Sequence, residues 1–352
     1  MKVLVIQQKM IGDVLTSSIL CEAIKKKYPS AELHYLVNSH TVPVVENNPF
    51  IDELVLFSSE MEQSKLQFYR FLKEIRKAKY DVVIDVYGKI SSNLMSYFSK
   101  APKRISYHKK HTAFLYTQTL ERLKKPEHDC SLAIENRLKL LEFLEIPFQE
   151  ITSKIYLTQA EIASAEAYVT TSNIDFKKPL FMVSVLGSSE AKTYPLDYMA
   201  SLLDSLVAEN KEAQFLFNYI PKQEKEAREV YEHCLPITQK RIFFSVFGKS
   251  LREFLAITSH CDAMIGNEGG AINMAKALNI PTFTIFSPSL KMQNWFGEKE
   301  NKNHKAVHLS EFIPYQEEDF VAAKKKPSKY YLKFTPSYIV QPLHDFIANL
   351  SL

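Results

Sequence analysis

Apolar and polar positions along the chain fall into two successive trains of the same kind. In the first, short apolar runs at Val3–Ile6, Leu33–Val37, Leu54–Phe57, Val82–Val86 and Arg104–Ser106 alternate with segments of helical period near Val14–Lys27, Leu66–Lys77, Ser91–Phe98 and Leu132–Leu144. Runs without polar alternation suit strands buried on both faces, and the periodic segments between them supply the helices that cover those faces. The pattern loosens after Ile146-Pro147, and Thr158-Gln-Ala-Glu161 has capping-box spacing, which predicts a helix start. A second train restarts at Leu180–Val185 and continues through Gln214–Phe217, Arg241–Phe244, Ala263–Ile265 and Thr282–Phe286. The expectation is an α/β chain of two doubly wound, Rossmann-like units with parallel sheets. The polar stretch Thr170–Pro179 reads as the linker, dividing the chain into 1–170 and 171–352, and an apolar-periodic helix from about Pro336 to Leu350 closes it.

Gly12, Gly88, Gly187, Gly248 and Gly266 each follow an apolar run, while Gly269 and Gly270 open a helix. Ligands of open α/β sheets bind beyond the carboxyl ends of the strands, so these glycines outline one binding edge. Composition agrees with a soluble globular chain, at 46% hydrophobic and 24% charged residues. A net charge of +4 is too mild for bulk nucleic-acid binding. Cys21, Cys130, Cys234 and Cys261 lie far apart, as expected of reduced thiols in the cytoplasm, and the amino terminus turns polar too soon for a signal peptide or a spanning helix.

Most of the candidate chemistry gathers in two loops of the second train. Asp262 to Phe286 reads as strand, glycine turn, helix and strand, with Glu268 where the helix begins. The unpaired N–H groups and dipole of a helix start form an anion site, which Gly269 and Gly270 leave accessible, although two glycines alone could simply fit the turn. Gly187-Ser188-Ser189-Glu-Ala-Lys192-Thr-Tyr-Pro195 adds hydroxyls and a cation, or else a solvated loop before a proline-initiated helix. Two anion-friendly loops on one sheet edge suggest a diphosphate. Tyr219 lies between these two loops, the stretch Val246 to Lys249 stands where a nucleobase could rest on the sheet edge, and Ser250 reads as a helix cap.

In the first train, Lys9-Met-Ile-Gly12-Asp13 sets a carboxylate at the first helix start, serving as a helix cap or as a general base. Lys103, Arg104, Lys109 and Lys110, interleaved with Tyr107, form either a solvated face or a site for an acidic acceptor. Lys324-Lys-Lys-Pro-Ser-Lys329 suits an anionic membrane surface. The dinucleotide glycine fingerprint, the P-loop and the nucleophile elbow are missing from the sequence, and the histidines lack metal spacing, with His108 and His111 reading as solvated. No Asp-x-Asp pair offers itself to a divalent ion, so a metal-free mechanism is expected.

Ile-Gly-Asp13-Val after the first strand, Lys192 after Gly187, and Gly-Asn-Glu268-Gly-Gly-Ala-Ile-Asn273-Met-Ala followed by Ile-Pro-Thr and Phe-Ser-Pro resemble the ADP-heptose:lipopolysaccharide heptosyltransferases, in order over about residues 1 to 345. The resemblance implies the GT-B architecture, two doubly wound domains facing a cleft, with the last helix returning to the first domain. It implies an inverting, metal-independent glycosyltransferase without a cofactor, using ADP-heptose or a related nucleotide sugar as donor and a lipopolysaccharide or related acidic glycan as acceptor. The work would be done in the cytoplasm, with peripheral contact at the inner membrane. Asp13 is implied as catalytic base, while Lys9, Gly12 and the basic cluster Lys103, Arg104, Lys109 and Lys110 are the acceptor-side candidates read from the residues. Lys192 is implied as donor-phosphate ligand, beside Gly187, Ser188, Ser189, Tyr219, Lys249, Glu268, Gly269, Gly270 and Asn273. The family pattern has Asp, then Ser or Thr, then Gly, and a His one turn later. Glu268, Gly269, Gly270 and Asn273 replace these, lengthening the carboxylate by a methylene and removing a hydroxyl and an imidazole. A nucleotide-sugar epimerase or hydrolase, or a silent nucleotide-sugar binder, are the rival expectations.

Overall fold

The computed structural model describes residues 1–297 and 303–350. The chain divides into two compact units, the first Met1–Tyr156 with a short later stretch that starts at Gln293, the second Leu157–Met292 with the described residues from Asn303 on.

The first unit holds a six-stranded sheet made of β1 (Lys2–Ile6), β2 (Glu32–Asn38), β3 (Glu53–Phe57), β4 (Val82–Asp85), β5 (Lys103–Tyr107) and β6 (Gln118–Leu120). The order is β3-β2-β1-β4-β5-β6, and every ladder is parallel. Val3 to Ile6 are fully buried, which is why the run shows no polar alternation. Leu4, Ile6, Leu36 and Val83 share a core with Phe71, Leu72 and Ile75 of the covering helix Lys65–Lys77.

The second unit holds β7 (Leu180–Ser184), β8 (Gln214–Phe217), β9 (Ala263–Asn267), β10 (Thr282–Ile285) and β11 (His304–Val307), ordered β11-β10-β9-β7-β8, again all parallel. Two sequence expectations change here. Arg241–Phe244 is no strand, because only the single bridge Phe215–Ile242 forms before the chain turns away. The short edge strands β6 and β11 had no clear apolar run to announce them; β6 is a half-buried Gln-Thr-Leu.

The boundary lies at Tyr156, earlier than the polar stretch 170–179 suggested. The helix Gln159–Thr171, opened by the expected Thr158–Glu161 capping box, packs on the helix Leu251–Thr258 and so joins the second unit. Arg252 clamps it there, with Nε and Nη2 each 2.6 Å from a Glu161 carboxylate oxygen. The final helix, Pro336–Ala348, likewise sinks Ile339, Leu343 and Phe346 into the second core and lies on the helix Leu196–Glu209.

The Arg252 hydrogen bonds, foremost among its contacts, lower the Glu161 pKa from 4.5 to about 2. A depressed carboxylate contributes stability above its unfolded pKa, and that contribution fades as pH falls from about 4.5 toward 2. The pair is part-exposed, so Arg252→Gln should cost about 1 kcal/mol or less in urea unfolding at pH 7. The difference should vanish near pH 2, and an undiminished difference there would deny the ion pair its role.

Candidate active site

In the first sheet the winding direction reverses between β1 and β4, the place where open α/β sheets receive ligands. Beyond β1 the backbone turns through Met10 at φ 63° and enters the helix Ile11–Ser17, which puts Asp13 in its first turn. No side chain caps that helix, so Asp13 is not a cap. Its Oδ1 accepts from Arg137 Nη2 at 2.7 Å. Arg137 is buried in the helix Leu132–Lys139, where Nε donates to Ser17 Oγ and Nη1 to the Ala133 carbonyl, each at 2.8 Å. The guanidinium is thereby immobilised. Asp13 stays one-third exposed, and Oδ2 takes no hydrogen bond among the described residues.

Arg137 escaped the sequence analysis, although Glu135-Asn136-Arg137 interrupts the apolar period of its helix with three polar residues, all buried. The first two fasten the loop 121–131. Glu135 accepts from the Glu127 N–H at 2.9 Å, and Asn136 Oδ1 accepts from the Leu123 N–H at 2.8 Å. That loop lays Arg122 over the Tyr107 ring, 3.9 Å from its centroid. The result is a cavity of about 650 Å³ lined by Lys9, Asp13, Tyr87, Lys89, Arg122, Arg137 and Trp295 among others, with four cations and one carboxylate on its walls. Gly12 sits in the same turn as Asp13, and Lys9 pairs with Glu62.

The basic cluster does not assemble there as one group. Lys103 and Arg104 begin β5 and so lie at the amino-terminal edge, opposite Asp13. Arg104 is spent on the Ala101 and Leu115 carbonyls, and Lys103 Nζ reaches the Phe143 carbonyl at 3.3 Å. Lys109, past the other end of β5, donates to the Gly88 carbonyl at 2.6 Å, and burial pushes its ammonium pKa down. Lys110 is exposed. The turn that Lys109 supports is also held by fully buried Asp85, which accepts from the Gly88 N–H at 2.8 Å and lies 2.6 Å from the Tyr116 hydroxyl; burial raises this carboxyl's pKa.

In the second sheet the reversal lies between β7 and β9, and the two anion-friendly loops follow those strands. Gly187 is required for close approach, since a Cβ there would fall 2.2 Å from the Lys192 carbonyl oxygen. The loop is pinned by Thr193 Oγ1, which accepts from the Gly187 N–H at 3.0 Å, and by Gln223, which donates to the Gly187 carbonyl at 2.9 Å. Ser188 and Ser189 are exposed. Asn267, which the sequence analysis passed over, ties the crevice floor together. Its Oδ1 accepts from the Tyr194 N–H at 2.6 Å while Nδ2 donates to the Ser184 and Val185 carbonyls.

Gly269 caps the helix Gly270–Ala277 at φ 156°, and a Cβ on either glycine would meet nothing within 4 Å. Neither glycine position is crowded, which leaves room for a ligand beside this helix start. Lys192 Nζ lies 3.2 Å from Glu268 Oε1, but out of line for a hydrogen bond, so this buried oxygen has an ionic neighbour and no donor among the described residues. Asn273 is part-exposed on the helix's first turn. Tyr219 and Lys249 stand apart from the switch point. Tyr219 follows β8 and stacks near Phe244 and Phe247, with centroids 5.1 and 5.5 Å away, and Lys249 lines a different cavity of about 470 Å³ between the helices Gln159–Thr171 and Leu251–Thr258. Among the described residues no three His, Cys, Asp or Glu side chains group as metal ligands.

Two parallel doubly wound units, each with its polar groups at the switch point, are the domains of the GT-B fold. The chain belongs to glycosyltransferase family 9, the heptosyltransferase family, whose model matches residues 68–322. It is 25% identical over 348 residues to lipopolysaccharide heptosyltransferase 1 of Campylobacter coli, covering 93% of this chain and 98% of that one. In fold it resembles the family 9 glycosyl transferase of Veillonella parvula, with TM-score 0.83, 16% identity and 99% and 97% of the two chains covered. It also resembles the Escherichia coli ADP-heptose LPS heptosyltransferase II, with TM-score 0.73, 16% identity and 99% of each chain covered.

Proposed function

We propose that this enzyme moves a heptose or related sugar from an ADP-linked donor to a lipopolysaccharide or related surface glycan, with inversion and without a metal ion. In this reading the first unit binds the acceptor and the second the donor. The observation that carries it is Asp13, fixed through Oδ1 by Arg137 with Oδ2 left open on a cationic cavity. An acceptor hydroxyl gives its proton to Oδ2 as its oxygen attacks the anomeric carbon, and the bond from that carbon to the β-phosphate oxygen breaks. Lys192, the Ser188 and Ser189 hydroxyls and the N–H groups at Gly269 and Gly270 take up charge on the leaving ADP. Glu268 Oε1, buried without a donor, accepts from a sugar hydroxyl, with Asn273 offering its amide one turn on. Tyr219, which follows β8 next to β7, serves the nucleobase side, whereas Lys249 opens on the separate cavity.

The donor and acceptor classes rest on family membership and on what its named members act upon. Lys89 and Arg122 meet the acceptor's negative charge in the part first given to Lys103 and Arg104. Among the described residues no helix is long and apolar enough to cross a membrane, and the exposed Lys324, Lys325, Lys326 and Lys329 suit peripheral contact with an anionic leaflet on the cytoplasmic side.

The test is ADP release from ADP-heptose with and without a deacylated lipopolysaccharide core glycan, before and after chelation. Release is expected only with the glycan and undiminished by the chelator. Release without acceptor would make the protein a hydrolase, and a strict need for restored Mg²⁺ would overturn the metal-free step.

A further inference from the structure

Trp295, the chain's one tryptophan, lies between β10 and β11 in sequence yet belongs to the first unit and lines the Asp13 cavity. The backbone that carries it is held down on both sides of the cavity loop's end. Phe296 is buried, and a Cβ on Gly297 would fall 2.9 Å from the Asp129 carbonyl oxygen, so the segment passes close over that loop. The indole itself is only partly buried. Among the described residues its ring stacks on no other ring, its Nε1–H donates to no acceptor, and the side chain of Asn294 beside it is equally unengaged. A large apolar face and two polar handles are thus presented to a cavity whose Arg122 and Lys89 have no carboxylate partner among the described residues.

We infer that Trp295 is the platform on which an acidic sugar ring of the acceptor packs. The C–H face of a pyranose carries slight positive charge and fits the negative face of an indole, while the ring's carboxylate meets Arg122 and Lys89. The cationic walls select against a neutral sugar, and the indole selects a ring over a free anion. Trp295 then fixes which hydroxyl is offered to Asp13. This inference rests on the assignment of the acceptor to the first unit.

Because the chain has one tryptophan, its fluorescence reads the site directly, excited where tyrosine does not absorb. A deacylated inner-core glycan should change the emission saturably, whereas maltose and ADP should leave it unchanged. Trp295→Ala should raise the acceptor KM roughly tenfold or more, as loss of a stacking platform does, and Trp295→Phe should raise it less. Donor affinity, read by ADP titration, should stay within about twofold, which also certifies the fold of both variants. A glycan KM unchanged in Trp295→Ala, or emission that responds to ADP and not to the glycan, would overturn the platform. If the wild type transfers no sugar but the glycan still changes its emission, the transferase reading fails and the platform stands.

Discussion

Asp13→Asn is expected to lower kcat by about 10²–10⁴, the usual cost of removing a general base, while ADP affinity stays within about twofold. The substitution is informative because it changes little else. An asparagine carbonyl can still accept from Arg137 Nη2, so the guanidinium fixed by Ser17 and Ala133 keeps a partner and the cavity keeps its shape. Asp13→Ala would instead leave a nearly buried cation unpaired, confusing lost chemistry with lost stability. The rate should be followed as ADP release with saturating acceptor, alongside a denaturation curve. Wild-type turnover in a folded Asp13→Asn variant would leave the carboxylate as an ion-pair partner of Arg137 and nothing more.

Lys192→Ala should weaken ADP binding about 10- to 100-fold, since a charge-assisted contact of this kind is worth roughly 1.5–3 kcal/mol. Two effects act in the same direction. The diphosphate loses a cation, and Glu268, buried and 3.2 Å from that cation in the free protein, is left to repel it. Glu268→Gln in the Lys192→Ala background should therefore recover part of the ADP affinity while turnover stays low. Calorimetric titration of the two single variants and the double variant separates the terms, because neighbours in one ionic contact are not additive. An ADP affinity indifferent to Lys192 would remove the lysine from the donor site.

Both switch-point loops were legible because local signals coincide there. A buried run, a glycine with a steric or conformational reason to be glycine, and a polar residue at a helix start follow one another within a few positions, as at Gly187 and Gly269. Partners brought in from afar were not. Arg137 lies 124 residues from the carboxylate it holds, and nothing near Trp295 announces that it joins the first unit. The basic cluster failed for a geometric reason, as a five-residue strand spans roughly 16 Å, so Lys103 and Lys109 are neighbours in sequence but stand on opposite edges of the sheet. The boundary moved because polar composition marks where a chain can be solvated, whereas packing on the helix Leu251–Thr258 decides which unit the intervening helix joins.

The crevice floor of the second sheet is held by an amide, and an amide has no proton to gain or lose in the working pH range. Asn267 donates to two carbonyls with one end and accepts with the other, so every contact it makes is the same in mild acid as in mild base. An aspartate of the same shape would set a carboxylate against the Ser184 and Val185 oxygens and make the loop's position depend on titration. With Asn267 in place, the acidity of the medium reaches catalysis through the groups that handle charge and protons, and the frame that aligns them keeps its dimensions throughout.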